Sequence, residues 1–118
     1  MIEVKAEIAE IESVKPPDWY LYMVRCADGS VYTGVSTDVQ RRWKEHQRGG
    51  ARAARYLRTR RPVDLIFSAM IGEKGAALRA EHAIKQLDKH QKEALANGAV
   101  ALRVILDAYD ERRAARAS

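Results

Sequence analysis

Cysteine is nearly absent from this chain of 118 residues, with Cys26 the single one. That excludes an intrachain disulfide and any zinc site built from several cysteines. Cys26 falls inside an expected strand, where a thiol behaves as a small buried hydrophobe. Long apolar runs are missing too. The segment from Met1 to Lys15 is interrupted by Glu3, Glu7, Glu10 and Glu12. It therefore lacks the apolar core of a secretory leader, and no other run is long enough to span a bilayer. The expectation is no membrane and a reducing, cytoplasmic location. Acid is the third scarcity, in one stretch. From Arg41 to Arg61 the basic residues are Arg41, Arg42, Lys44, Arg48, Arg52, Arg55, Arg58, Arg60 and Arg61, against Glu45 alone.

What is present suffices for one domain with a real core, since 47% of the residues are hydrophobic. The net charge is +5, and the Arg41 to Arg61 stretch by itself exceeds it. The first eighteen residues reverse the sign, with Lys5 and Lys15 against Glu3, Glu7, Glu10, Glu12 and Asp18. A one-sided basic field is the electrostatic footprint of phosphate binding, and also the look of a merely solvated face.

The stretch from Tyr20 to Gly34 organises the chain. Two β-rich runs, Trp19 to Cys26 and Ser30 to Val35, flank Ala27-Asp28-Gly29. A three-residue loop with glycine in the left-handed position pairs Cys26 with Ser30. Tyr22 then lies opposite Gly34, Tyr32 lies opposite Val24, and Tyr20, Tyr22 and Tyr32 share a face. Ser36-Thr37-Asp38 is a cluster of helix caps before a helix from Val39 to Arg48, stopped at Gly49-Gly50. Its apolar stripe is Val39 and Trp43, and Arg42 and His46 flank that stripe. Ala51 to Arg61 reads as a basic, partly helical connector anchored by Tyr56 and Leu57. Pro62 opens a third strand, Val63 to Ile71, apolar on both faces and so expected to be packed by helices.

A long helix is expected from Ala76 to Asn97, with a break near Lys89 and a buried stripe of Ala77, Ala80, Ile84 and Leu87. Glu81 falls within that apolar arc. A carboxylate there needs an arginine, a lysine or a metal as partner. His82 and His90 lie off the stripe and are expected in solvent. A last helix carries Leu102, Ile105, Leu106 and Tyr109, followed by a charged tail expected to fray. Val4, Ile8 and Ile11 suggest a short amphipathic helix ahead of Lys15-Pro16-Pro17. The organisation expected is an appendage at 1–18, a domain at 19–109 and a tail at 110–118. Both a monomer and a homodimer fit it.

The order of these residues resembles the GIY-YIG endonuclease superfamily, in its small stand-alone bacterial branch of YhbQ-like proteins. Tyr20-Leu21-Tyr22 resembles the first half-motif, with Tyr20 where the family name has glycine. Tyr32-Thr33-Gly34 resembles the second. Arg42 follows ten residues after Tyr32, His46 one turn later, and Glu81 stands in Arg79-Ala80-Glu81-His82. The resemblance implies an α/β (α+β) fold, a small three-stranded sheet flanked by helices. It also implies phosphodiester hydrolysis with one Mg²⁺ (or Mn²⁺) seated by Glu81. On this reading Tyr32 is the general base, Tyr22 positions it or the water, and Arg42 binds the scissile phosphate. His46 assists proton transfer or contacts phosphate. Gly34 gives close backbone approach, and Arg41, Lys44, Arg48, Arg52, Arg55, Arg58, Arg60 and Arg61 bind the nucleic-acid backbone. Val35 stands where many relatives have lysine, which removes one activator of the base.

Of three functions, the first is the one expected, and the second is its alternative. The first is a metal-dependent endonuclease of low sequence specificity, acting on DNA ahead of RNA, in repair or recombination. The second is a weak or inactive nucleic-acid-binding module. The third is an interaction protein whose basic face meets an acidic partner.

Overall fold

The computed structural model describes residues 16–117, so the expected helix around Val4, Ile8 and Ile11 lies outside the described residues. Strand β1 (Trp19–Cys26) is the middle of a three-stranded sheet, with β2 (Val31–Ser36) and β3 (Pro62–Gly72) antiparallel on either side. The hairpin has the expected register: Tyr22 faces Gly34 and Val24 faces Tyr32. Cys26 N–H donates to the Ser30 carbonyl and Gly29 N–H to the Cys26 carbonyl, both at 2.9 Å. Gly29 takes φ +85°, the left-handed conformation that glycine adopts without steric cost. Asp28 Oδ1 accepts from Ser30 N–H at 3.0 Å and fixes the loop tip.

Alternation along β1 sends its side chains to two cores. Leu21 and Met23 face one side, where Ala80, Ile84, Leu95 and Ile105 close over them. Tyr22, Val24 and Cys26 face the other, against Val39 and Leu57. Helices α3 (Lys74–Lys85), α4 (Lys89–Ala96) and α5 (Leu102–Ala117) cover the first face. Helices α1 (Val39–Arg48) and α2 (Arg55–Thr59), joined by a 3₁₀ turn at Gly50–Arg52, cover the second. Each fully buried Leu, Met or Ile contributes about 1.5–3 kcal/mol.

Two expectations change, and one is borne out. Strand β3 is not enclosed: it is an edge strand, with Val63 55% and Met70 62% exposed. The longest run of buried positions, Leu21 to Val24, belongs to β1, which alone has a strand on both sides. The helix expected from Ala76 to Asn97 does break near Lys89, into two helices. Asp88 begins the second with a capping box, accepting from Gln91 N–H at 2.8 Å while the Gln91 side chain accepts from Asp88 N–H at 3.0 Å. Asp88→Ala is expected to cost about 1 kcal/mol, seen as a Tm lowered by roughly 4–8 °C in a calorimetric scan. The charged tail does not fray at Asp110, because α5 continues to Ala117.

Candidate functional site

The site begins with a histidine that the helical wheel placed only at the rim of the α1 stripe. His46 is 0% exposed. Asp38 caps α1 by accepting from Arg41 N–H at 3.0 Å, and Gly49 at φ +71° ends the helix. The chain then turns back through Gly50–Arg52 and covers the ring. Ala54 N–H donates to His46 Nδ1 at 3.3 Å, and His46 Nε2 lies 2.7 Å from the Tyr22 hydroxyl. A ring that accepts at Nδ1 and is neutral holds its proton on Nε2. His46 is neutral: burial, reinforced by the charge of Arg42, lowers its pKa to about 4. His46 Nε2–H therefore donates to Tyr22. The expected phosphate contact or proton transfer by His46 does not fit a ring shut off from solvent with both nitrogens engaged. Its task is to hold Tyr22.

Tyr22 is 1% exposed. Burial first, and then the neighbouring Tyr32, push its ionisation well above the usual tyrosine range, although Arg42 pulls the other way. It is a neutral phenol. Its oxygen accepts from His46, so its own O–H is available to Tyr32, with which it interacts. The Tyr22 and Tyr32 ring centroids are 6.3 Å apart, and Tyr32 meets His46 edge-on at 5.7 Å. Tyr56, expected only as an anchor, lies 5.8 Å from Tyr32 on its outer side, and the Arg60 guanidinium sits 4.1 Å above Tyr56. No spacing in the sequence marks Tyr56 as a neighbour of Tyr32; the packing of α2 brings it there. Tyr32 is thus held among three rings at the edge of the cluster, partly exposed.

Gly34 is buried beneath Tyr22. The space above its backbone is filled by the Tyr22 ring rather than left for a phosphate, which corrects the expected backbone approach. Arg42 Nη1 donates to Glu45 Oε1 at 3.2 Å and to the Arg52 carbonyl at 2.5 Å. This braces α1 against the turn that covers His46, and the guanidinium also interacts with Tyr22.

Among the described residues no hydrogen bond or ion pair joins Glu81 to this group. Helix α3 packs on the Leu21 and Met23 face, behind the tyrosines. Among the described residues the ion-pair partner of Glu81 is Lys85 at 3.4 Å, and its side chain is 21% exposed. A partly exposed i,i+4 pair of this kind is weak and yields readily to a stronger cation. No group of three or more His, Cys, Asp or Glu that could hold a metal occurs among the described residues. The donor set fits Mg²⁺ or Mn²⁺ only in the form that takes one carboxylate, several waters and ligand phosphates. Val35 shares the α3 side of the sheet, packed against the Leu21 and Ile84 core.

The basic residues divide. Arg41, Lys44, Arg48 and Arg52 line one cleft of about 330 Å³ beside Glu45, and all four are exposed. Arg55 and Arg61 are exposed as well. Arg58 is used internally, with Nη2 donating to the Ala51 carbonyl at 3.0 Å and Nε to the Ala53 carbonyl at 3.3 Å. Arg60 is shared between Tyr56 and Asp28, the latter at 3.5 Å. No described helix is long and apolar enough to cross a membrane.

The GIY-YIG catalytic domain pattern matches residues 18–94. The UPF0213 protein of Cronobacter sakazakii is 47% identical over 91 residues, which cover 77% of this chain and 94% of that protein. The UPF0213 protein YhbQ of Escherichia coli K12 is 50% identical over 77 residues, 65% of this chain and 75% of that one. The solution NMR structure of the UPF0213 protein BH0048 from Bacillus halodurans is 39% identical, with a TM-score of 0.44, covering 68% of this chain and 83% of that chain. With the domain pattern spanning more than half of its length, the chain belongs to the GIY-YIG family, in the bacterial UPF0213 (YhbQ-like) branch.

Proposed function

We propose that this protein is a nucleic-acid-binding domain that grips phosphates along α1 and the turn after it, with weak or no phosphodiester hydrolysis. The observation that carries this is the cleft of Arg41, Lys44, Arg48 and Arg52. Four exposed cations converge there, and the acid beside them, Glu45, is already paired with Arg42. Guanidinium and ammonium groups on a surface bind the backbone and carry little base information. Binding is therefore strongly salt-dependent and nearly indifferent to sequence, with DNA the preferred ligand over RNA. One feature supports weak chemistry: among the described residues no group of three or more His, Cys, Asp or Glu could hold a metal.

One observation favours a second reading, a metal-dependent endonuclease of repair or recombination. Tyr22, Tyr32, Arg42 and His46 are assembled around β2, an edge strand against whose other face α3 packs. In that reading Glu81 would hold one Mg²⁺ or Mn²⁺, which when bound polarises the phosphate. Tyr32 would take a proton from water, Tyr22 would orient it, and Arg42 would offset charge on the phosphate.

The test is gel retardation of labelled duplex in EDTA, with cleavage of supercoiled plasmid in Mg²⁺, Mn²⁺ or EDTA, for wild type, Glu81→Ala and Tyr32→Phe. Retardation by all three forms in EDTA, with little cutting by any, is expected. Metal-dependent cutting by wild type but not by Glu81→Ala would replace the first reading with the second. No retardation at low salt would sink both.

A further inference from the structure

The far side of the sheet holds a second cationic cleft, between α3 and α5. It measures about 380 Å³ and is lined by His82, Gln86, Tyr109, Arg112, Arg113 and Arg116. Its existence depends on α5 continuing past Asp110, which brings the three arginines onto one face. At ~100° per residue, positions 109, 112, 113 and 116 fall within a narrow arc. The acids Asp107, Asp110 and Glu111 project elsewhere around the helix. Asp107 is taken by Arg103 at 3.8 Å, and Asp110 lines a different groove. Among the described residues none of Arg112, Arg113 and Arg116 is in an ion pair.

The floor of the cleft is ordered. Tyr109 is 7% exposed, and its hydroxyl lies 2.5 Å from His82 Nδ1, with the two rings meeting edge-on at 5.7 Å. The Arg113 guanidinium is 5.8 Å from the Tyr109 ring. The pair pins α5 to α3 and fixes the backbone from which the arginines project. Like charges at i,i+3 and i,i+4 repel, so the cluster is destabilising until an anion enters. Three forked donors with a histidine beside them suit the tetrahedral oxygens of a phosphate.

We infer that the His82–Arg112–Arg113–Arg116 cleft is a second phosphate-binding site, which engages a stretch of nucleic-acid backbone separate from that held along α1. The nucleic-acid part rests on the function proposed above; the phosphate chemistry does not. Free phosphate compounds offer the same group, so the test has two arms. In the first, inorganic pyrophosphate is titrated into the whole protein while the arginine Nε–H and His82 signals are followed by NMR. Saturable shifts at Arg112, Arg113, Arg116 and His82 are expected, and their absence overturns the site. In the second arm, duplex affinity is measured against salt for wild type, Arg113→Gln/Arg116→Gln and the control Arg103→Gln. The double variant should show a log–log slope shallower by roughly 0.9 for each lost phosphate contact, and the control a smaller change. Pyrophosphate shifts with an unaltered slope would overturn the nucleic-acid assignment and leave a site for free phosphates. Failure of wild type to bind duplex at all would defeat the proposed function as well, while the pyrophosphate arm still decides whether the cleft binds phosphate.

Discussion

Gly34→Ala is expected to destabilise the protein by about 1–3 kcal/mol, the usual cost of overpacking a filled core, and to disorder the tyrosine cluster. A Cβ at position 34 would stand 2.5 Å from the Tyr22 hydroxyl oxygen, 2.7 Å from Tyr22 Cζ and 3.0 Å from Tyr32 Cε2. None of these atoms is free to retreat. Tyr22 is buried between β1 and α1, with its oxygen fixed by His46, and Tyr32 is held by Tyr22, His46 and Tyr56. Gly34 is not among the positive-φ residues, so the penalty is steric and not conformational. Gly75 gives the contrast. It lies within α3 and its added Cβ would meet only Arg79, at 3.7 Å. Gly75→Ala should stabilise by roughly 0.4–1 kcal/mol through the unfolded chain. Urea midpoints with unchanged m-values would read both effects. A Gly34→Ala protein as stable as wild type would show that Tyr22 does not lie on Gly34.

The second large effect is a loss of stability in mild acid that traces to His46. Its pKa in the folded protein is about 4, depressed by burial and then by Arg42, against about 6.5 in an unfolded chain. Between these values the unfolded state binds more protons than the folded one, so stability rises with pH across the window. The contribution is complete above about pH 6.5 and is lost as the pH falls toward 4. The range amounts to about 3 kcal/mol at most, at 1.36 kcal/mol per pH unit. Glu93, whose carboxyl is held low by Arg25, has the same sign of dependence, but only near and below the ordinary carboxylate range. Urea unfolding at pH 7.5, 6 and 5 therefore isolates the histidine. His46→Gln should flatten the slope in that interval. His46→Ala should cost about 1–3 kcal/mol at pH 7.5, since Ala54 N–H loses its partner and the Tyr22 hydroxyl loses one of its contacts. Equal slopes for wild type and His46→Gln would refute the buried neutral ring.

These two residues show where sequence is informative and where it stops. The hairpin register was legible because Ala27-Asp28-Gly29 suits one loop, and that loop alone sets Tyr22 opposite Gly34 and puts three tyrosines on one face. What occupies the space over Gly34 was not, since a glycine in a strand equally suits a backbone approach or a seat for a ring. The wheel put His46 at the rim of α1 because it shows one helix at a time. The residues that bury it, up to Ala54, belong to a basic stretch with no apolar pattern. Arg42 and Glu45 were visible as i,i+3 neighbours, but the Arg52 carbonyl that completes their bracket follows a turn at two glycines. The break near Lys89 was legible, and the structure adds the Asp88–Gln91 capping box that begins the second helix. The composition of the tail, charged and small, suggests fraying. The structure instead continues α5 to Ala117, with Tyr109 and His82 joining it to α3.

The measurement that tests the central claim most directly is fluorescence anisotropy of a labelled duplex titrated with protein at several salt concentrations. It compares wild type with Arg41→Glu/Arg48→Glu, two exposed positions of the α1 cleft that leave Arg42 and the tyrosine cluster untouched. The account predicts binding by wild type at low salt that falls steeply as salt rises. It predicts a marked loss of affinity for the variant, with a slope shallower by about 0.9 per contact removed. Equal affinity and slope for the two proteins, or no binding by wild type at low salt, would contradict it.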